Sequence, residues 1–470
     1  VLGKASRPAF LAFTVVATLL LGLTTTLSAT ATAAPPLPQN DSFYTDPPGY
    51  ENAEPGTILR SRPVRIAALN LLPVRVQAWQ LLYRTTDFDN KPYTSVTTVM
   101  IPEGATGPRP LLSYQTAVDA IAGMCRASYQ LQQSAPIDLT DPAGPITSGN
   151  PAAEILLAAT GLAKGWAVAI PDQGGRENRF ATPREPGYVV LDGVRAAERF
   201  APLGLAGEST PVSLWGYSGG GIATAWTAEM QPEYAPELNI VGAAIGAPVA
   251  DLKAGLLAAN GGLLGGLIPI AVAAIAKDSP EFRAVLERSV TPEGLALIDH
   301  AADRCTTQAV LDTSLYELVH HLSLPDFTHY VRVPFAELLA DPVVARTVEE
   351  RTLGRRTPTA PVYLYNSVSD EISTITGADG LADAYCTHGA SITYRRDLFP
   401  PLISPHGNFA VLGAPDALAW LTDRMNGQPA QQGCDYRTPP STLLDAGALN
   451  NLGFGAGAVL TTLLGLPVGR

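Results

Sequence analysis

One pentapeptide limits the possible folds more than any other feature of this chain. Gly216-Tyr217-Ser218-Gly219-Gly220 is the only Gly-x-Ser-x-Gly in the sequence. It follows the apolar run PVSLW and opens into GGIATAWTAEM, so the serine stands where a strand (211–218) turns into a helix (220–230). A serine in such a turn occupies strained backbone, and small residues two before and two after it, here Gly216 and Gly220, avoid collision. That arrangement exposes a nucleophile at the edge of a parallel sheet, so the surrounding sequence should alternate strands with helices.

It does. Two β-branched and aromatic runs (76–88 and 92–102) flank Asp89-Asn90-Lys91 and predict a hairpin. Strands then follow at 111–115, 166–172, 239–248, 361–366 and 391–396. Helices are expected at 152–165, 188–200, 377–386 and 408–425. The alternation describes an α/β fold, a mostly parallel central sheet with helices on both faces. It is interrupted by 250–350, which is Ala/Leu/Gly-rich and poor in strand signals, and which reads as an inserted helical cap. The expected organisation is therefore a core over 63–249 and 351–435, the cap between them, an extended Pro-rich segment at 34–62 and an apolar, Gly-interrupted tail at 436–470 that packs on the body.

Residues 1–33 read as an export signal. Lys4 and Arg7 precede the apolar run FLAFTVVATLLLGL, and Ala31-Thr32-Ala33 offers a small-x-small cleavage site. Export, with secretion or retention at the cell envelope, makes the cysteine count meaningful. Cys125, Cys305, Cys386 and Cys434 form no Cys-x-x-Cys, and an even number in an oxidising compartment favours two disulfides, with three pairings open. The net charge of −12 and the lack of a basic stripe argue against nucleic acid as a partner. No His-Glu-x-x-His, carboxylate cluster or phosphate loop calls for a metal or cofactor.

A serine nucleophile needs a base, and the base an orienting acid, in the chain order Ser, Asp/Glu, His. Asp370 lies just past the strand at 361–366, with Glu371 as the alternative acid. Among six histidines, His406 follows the strand at 391–396 in a Pro/Gly loop before a helix. His388 also follows Asp370, but beside Cys386 in a helix–strand turn, and reads as structural; the four at 300, 320, 321 and 329 fit the surface of the insertion. The expected triad is Ser218, His406 and Asp370. The tetrahedral oxyanion needs two donors, of which the Gly219 N–H is one. The other should come from TAVDAIAGMC (116–125), which contains no His-Gly-Gly-Gly. In the insertion, the nearly uncharged 256–276 reads as cover for the site rather than buried core, offering acyl chains an apolar surface and allowing transient contact with a lipid interface.

SYQTAVDAIAGMC (113–125), AIPDQGG with the later VVLDGVRAAE, LWGYSGGG, and the surroundings of Asp370 and His406 together resemble the secretory lipases of fungi and actinobacteria, the lipase A-like group, over roughly 40–435. The resemblance implies an α/β-hydrolase fold with an inserted helical cap, secretion, no cofactor, and hydrolysis of triacylglycerols and other carboxylic esters. It implies that the backbone N–H of Asp119 is the second oxyanion donor, and that the disulfides are Cys125–Cys305 and Cys386–Cys434. Gly219 stands where the group more commonly carries another residue, at a position expected to tolerate small side chains. The expected protein is a monomeric serine ester hydrolase acting on lipid esters. Two readings stand beside it: acyl transfer through the same acyl-enzyme, and an exported lipid-binding protein with a vestigial triad.

Overall fold

In the computed structural model, residues 34–135, 150–400 and 403–469 are described, and the export signal expected at 1–33 lies outside them. Among the described residues ten strands form one sheet: β1 (Ile58–Pro63), β2 (Val76–Thr86), β3 (Pro92–Pro102), β4 (Leu111–Gln115), β5 (Ala167–Pro171), β6 (Val212–Tyr217), β7 (Ile240–Gly246), β8 (Val362–Ser367), β9 (Ile392–Asp397) and β10 (Cys434–Arg437). Their order across the sheet is β1-β2-β3-β5-β4-β6-β7-β8-β9-β10. The β2–β3 hairpin is in register from Val76↔Pro102 to Thr86↔Pro92, closed by a turn in which Asn90 takes a left-handed φ of 63°. β3 runs antiparallel to β5, and every pairing from β5 through β4 to β10 is parallel.

Alternate residues of each central strand enter two separate cores. Leu214, Ala243, Val362 and Leu364 pack on one face, against the helices Glu185–Arg199 and Gly219–Tyr234. Trp215, Ala244, Tyr363 and Tyr365 pack on the other, against Asn150–Ala163 and Ala414–Met425. Burial on both faces explains why these strands are continuous apolar runs in the sequence.

The chain leaves β4 toward β5 on one side, and β6 lies on the other. The strand order therefore reverses at β4, and the loops after β4 and β6 face each other across the resulting crevice. Open α/β sheets place ligands at the carboxyl ends of strands flanking such a switch point. The pairing Gln115↔Gly216 sets the two loops side by side.

Between β7 and β8 lie seven helices: Leu252–Ala259, Leu267–Asp278, Pro280–Ser289, Pro292–Ala302, Thr306–His320, Phe335–Ala340 and Pro342–Glu349. They have a core of their own, built on Ile268, Val272, Ile275, Phe282, Val285 and Ile298.

Three readings of the sequence need correction. The helix expected at 408–425 is two, Pro405–Leu412 and Ala414–Met425, because Pro415 lacks an N–H and is accommodated only in the first turn of a new helix. The segment at 34–62 is not merely extended: it makes three single 3-10 turns and then β1, whose residues pair with β2. Residues 436–437 belong to β10, at the edge of the main sheet, so the tail begins inside an element. Farther along, the helix Ala448–Leu463 packs against Asn150–Ala163 and Ala414–Met425.

Both disulfides are formed, Cys125–Cys305 and Cys386–Cys434. The second ties the end of the helix Ile375–Thr387 to β10 and closes a sequence separation of 48. Loop-closure entropy for that length is about 4 kcal/mol. Changing Cys386 and Cys434 together to alanine is expected to lower the thermal midpoint by several degrees; an unchanged midpoint, or four free thiols in secreted protein by mass spectrometry, would contradict the cross-link's structural role.

Candidate active site

Ser218 has φ 55° and ψ −124°, so a side chain with a Cβ occupies left-handed backbone, a conformation costing about 1–3 kcal/mol that surrounding structure must enforce. The surroundings are visible. The Ser218 N–H bonds the Gly246 carbonyl at the end of β7 (2.9 Å). A Cβ on Gly216 would come 2.3 Å from the Gly220 carbonyl oxygen, and one on Gly220 would come 2.0 Å from the Gln115 carbonyl oxygen. Nothing larger than glycine fits at either site. Gly219 differs: a Cβ there would meet not backbone but the Asp119 carboxyl, at 1.6 Å, so a small side chain requires that carboxyl to move.

The three side chains expected to form a triad meet. His406 Nε2 lies 2.8 Å from Ser218 Oγ, and His406 Nδ1 lies 2.8 and 3.0 Å from the two Asp370 oxygens. His406 and Asp370 are buried, and Ser218 is partly accessible. Asp370 also accepts the N–H groups of Ile372 (3.0 Å) and Ser373 (2.7 Å), which fix its carboxylate. Burial opposes the charged form of His406, but the facing Asp370 carboxylate, with Glu371 and Asp119 behind it, prevails and raises the imidazole pKa above its ordinary value.

His406 is not in a loop. It is the second residue of the helix Pro405–Leu412, whose N-terminus is capped by the Ser404 hydroxyl accepting from the Gly407 N–H (3.1 Å). Ser-Pro before a helical run is a helix-start signal that the sequence reading passed over. Glu371 is a holder rather than a solvated neighbour of Asp370. Its carboxylate accepts the His406 N–H (2.8 Å) and the Ser404 hydroxyl, and the Tyr217 hydroxyl donates to the His406 carbonyl (2.7 Å). His388 is exposed at the end of the helix Ile375–Thr387, its Nδ1 2.7 Å from the Ala384 carbonyl.

Gly219 is the first residue of its helix, so its N–H has no intrahelical acceptor, and the residue lines the cleft beside Ser218. Asp119, with φ 41°, lies against it from the loop after β4. That loop is anchored to the cap twice. Cys125 is bonded to Cys305, and the hydroxyl of the next residue, Thr306, donates to the carbonyls of Val118 (2.5 Å) and Asp119 (2.9 Å). The Thr306 anchor had no sequence signal, because its partners are backbone atoms nearly two hundred residues away. The Asp119 carboxyl is buried and Oδ1 has no hydrogen-bond partner. Burial raises its pKa to about 7 against the pull of His406 and its own backbone amide.

Over Ser218 the helices Leu252–Ala259 and Leu267–Asp278 close a narrow apolar cleft through Leu252, Leu256, Leu267, Ile268 and Ala271, with Ile222 and Ile372 opposite. The stretch 256–276 thus serves as both cover and core, since Ile268 and Ala271 are buried where they meet the cleft.

A largely parallel sheet presenting a serine in a tight strand–helix turn, with an acid and a histidine from later strands, defines an α/β-hydrolase. More narrowly, the chain belongs to the secretory lipase family, whose description matches residues 145–433. It is 36% identical to Lipase A of Arthroderma benhamiae over 441 residues, 93% of this chain and 90% of that protein. It is 33% identical to Secreted triacylglycerol lipase LIP3 of Malassezia restricta over 442 residues, 93% and 90% of the two chains. A third relative, 42% identical over 397 residues and 84% of each chain, is named Probable inactive lipase MT1628 of Mycobacterium tuberculosis. The fold superposes on Candida antarctica lipase A in its closed state with a TM-score of 0.76 at 25% identity, covering 93% of this chain and 99% of that one.

Proposed function

We propose that this chain is a secreted serine lipase and carboxylesterase that hydrolyses triacylglycerols and related esters through an acyl-enzyme on Ser218. The observation that carries the reading is the unbroken hydrogen-bonded line Ser218–His406–Asp370 beneath an apolar cleft. Ser218 Oγ attacks the ester carbonyl carbon while His406 Nε2 takes its proton, and Asp370 holds the tautomer and stabilises the imidazolium. The oxyanion is met by the N–H groups of Gly219 and Asp119. As the C–O bond breaks, His406 returns the proton to the leaving alcohol. Water then attacks the acyl carbon as the same histidine takes its proton, the bond to Ser218 Oγ breaks, and His406 returns the proton to that oxygen as the acid leaves.

The apolar cleft favours acyl chains as substrates. A second feature supports lipid contact. Leu311, Leu315 and Leu318 are 37, 59 and 55% exposed, at a spacing that puts them on one side of the cap helix Thr306–His320, and Leu322, 86% exposed, follows just past its end. This stripe is the surface we assign to transient contact with a lipid interface. Among the described residues no helix is long and apolar enough to cross a membrane.

The test is hydrolysis of emulsified tributyrin and triolein. Turnover of both is the expected result. Turnover of tributyrin alone would make the protein a short-chain esterase. Folded protein that turns over neither, but transfers acyl groups to an added alcohol, would be an acyltransferase. Protein that does neither but retains acyl chains would be a lipid binder with a vestigial triad; the name of the mycobacterial relative, Probable inactive lipase MT1628, speaks only of inactivity as a lipase.

A further inference from the structure

A second constellation of chemistry-bearing side chains lies in the cap, on residues the hydrolytic site does not use. Glu317 is on the helix Thr306–His320, His321 caps that helix, and His329 is on the 3-10 turn Phe327–Tyr330. One ligand atom from each lies within 4.8 Å of the other two. We infer that Glu317, His321 and His329 form a binding site for a divalent first-row transition metal, with Zn²⁺ as its best probe.

The donor set matches that chemistry. Two imidazoles and one carboxylate suit zinc and its neighbours rather than magnesium or calcium, which prefer all-oxygen shells. The carboxylate is built into the protein: Glu317 is fully buried, and its Oε1 is oriented by the Tyr330 hydroxyl (2.6 Å). Its Oε2 accepts from Ser323 (3.2 Å) and lies 3.4 Å from His329 Nδ1. Among the described residues no lysine or arginine pairs with this buried carboxylate, and a histidine is a cation only when protonated. A hydroxyl oriented on a carboxylate whose other oxygen faces the histidines is how an outer shell prepares a metal ligand.

The imidazoles are exposed, and their rings tilt toward each other with centroids 4.7 Å apart. Ligand atoms around tetrahedral zinc lie about 3.4 Å apart, the separation His329 Nδ1 and Glu317 Oε2 already have, so the remaining separations must close by at most about 1.4 Å, within reach of a rotation of two surface histidines. The fourth position would face solvent and take water.

The segment such an ion would close, 321–329, is bonded to the cover of the active site. The Gly261 N–H donates to the Pro325 carbonyl (2.8 Å), Asn260 Nδ2 to Asp326 (2.7 Å), and the Phe327 N–H to Asn260 Oδ1 (2.7 Å). Asn260 directly follows the covering helix Leu252–Ala259, so the ion would sit one hydrogen-bonded step from the residues above Ser218.

The test is isothermal titration of the disulfide-intact, tag-free chain with ZnCl₂, beside MgCl₂. One equivalent of zinc should bind in the micromolar range or tighter and raise the thermal midpoint, while magnesium does neither. His321→Gln and His329→Gln, both surface changes, should each weaken zinc binding by at least about tenfold, the scale on which even outer-shell changes act. Both should keep metal-free esterase activity. Glu317→Gln should do the same to zinc, but it alters a buried group, so the histidine variants decide. No zinc binding by the folded chain, or binding undiminished in both histidine variants, would overturn the inference.

Discussion

Ser218→Ala is expected to lower kcat for ester hydrolysis by about 10⁶-fold with little change in fold, the loss seen when a triad nucleophile is removed while oxyanion donors and binding remain. The size of the effect follows from the geometry. His406 Nε2 has one partner at the crevice, Ser218 Oγ at 2.8 Å, and without that oxygen the imidazole has only water to activate. The elbow adds a second readout. Ser218 holds φ 55° against its steric preference, so Ser218→Gly should be equally inactive and yet melt above the wild type. Residual turnover within tenfold of wild type in either variant would mean that another residue carries the acyl group.

Asp370→Asn is the second large effect, expected at about 10⁴-fold in kcat because the amide favours the wrong imidazole tautomer. Glu371→Gln separates the two acids. Glu371 touches the backbone N–H of His406 and the Ser404 hydroxyl, so it holds the helix that carries the base rather than the base itself. Its loss should cost far less, on the order of tenfold. The pH profile gives an independent sign. The neutral imidazole is the base, and Asp370 is the leading influence raising its pKa. The acid limb of kcat/KM should therefore lie above the ordinary histidine value of about 6.5 in the wild type. In Asp370→Asn it should move to lower pH, because the stabilising carboxylate is gone. Equal losses in the two variants, or a limb that does not move, would contradict the assignment of the acid.

The framework of this site was legible in the sequence because its parts have local signals. The strands at 76–86 and 92–102 are rich in β-branched and aromatic residues and 111–115 is a short apolar run, and all three form where those patterns predict. Ser218 sits in a strand–glycine–helix context that few other backbones tolerate. Asp370 and His406 were reached by chain order and by their places after late strands, and neither says how they are held. The support from Glu371, Tyr217 and Thr306 runs through backbone atoms of distant segments and leaves no pattern. β10 was missed because Cys434–Arg437 is a short, mostly exposed edge strand without an apolar run. The Glu317, His321 and His329 cluster was passed over for a related reason: its third member arrives from a turn beyond the helix, outside any helical spacing.

The central claim is that Ser218 is the acylated nucleophile. The most direct measurement is peptide mass spectrometry of the native protein after reaction with a p-nitrophenyl alkylphosphonate, in which a serine oxygen displaces p-nitrophenolate at phosphorus. One adduct per chain, on the peptide spanning Gly216–Gly220 and absent in Ser218→Ala, is the expected result. Folded wild-type protein that stays unlabelled, or carries the adduct on another residue, would contradict it.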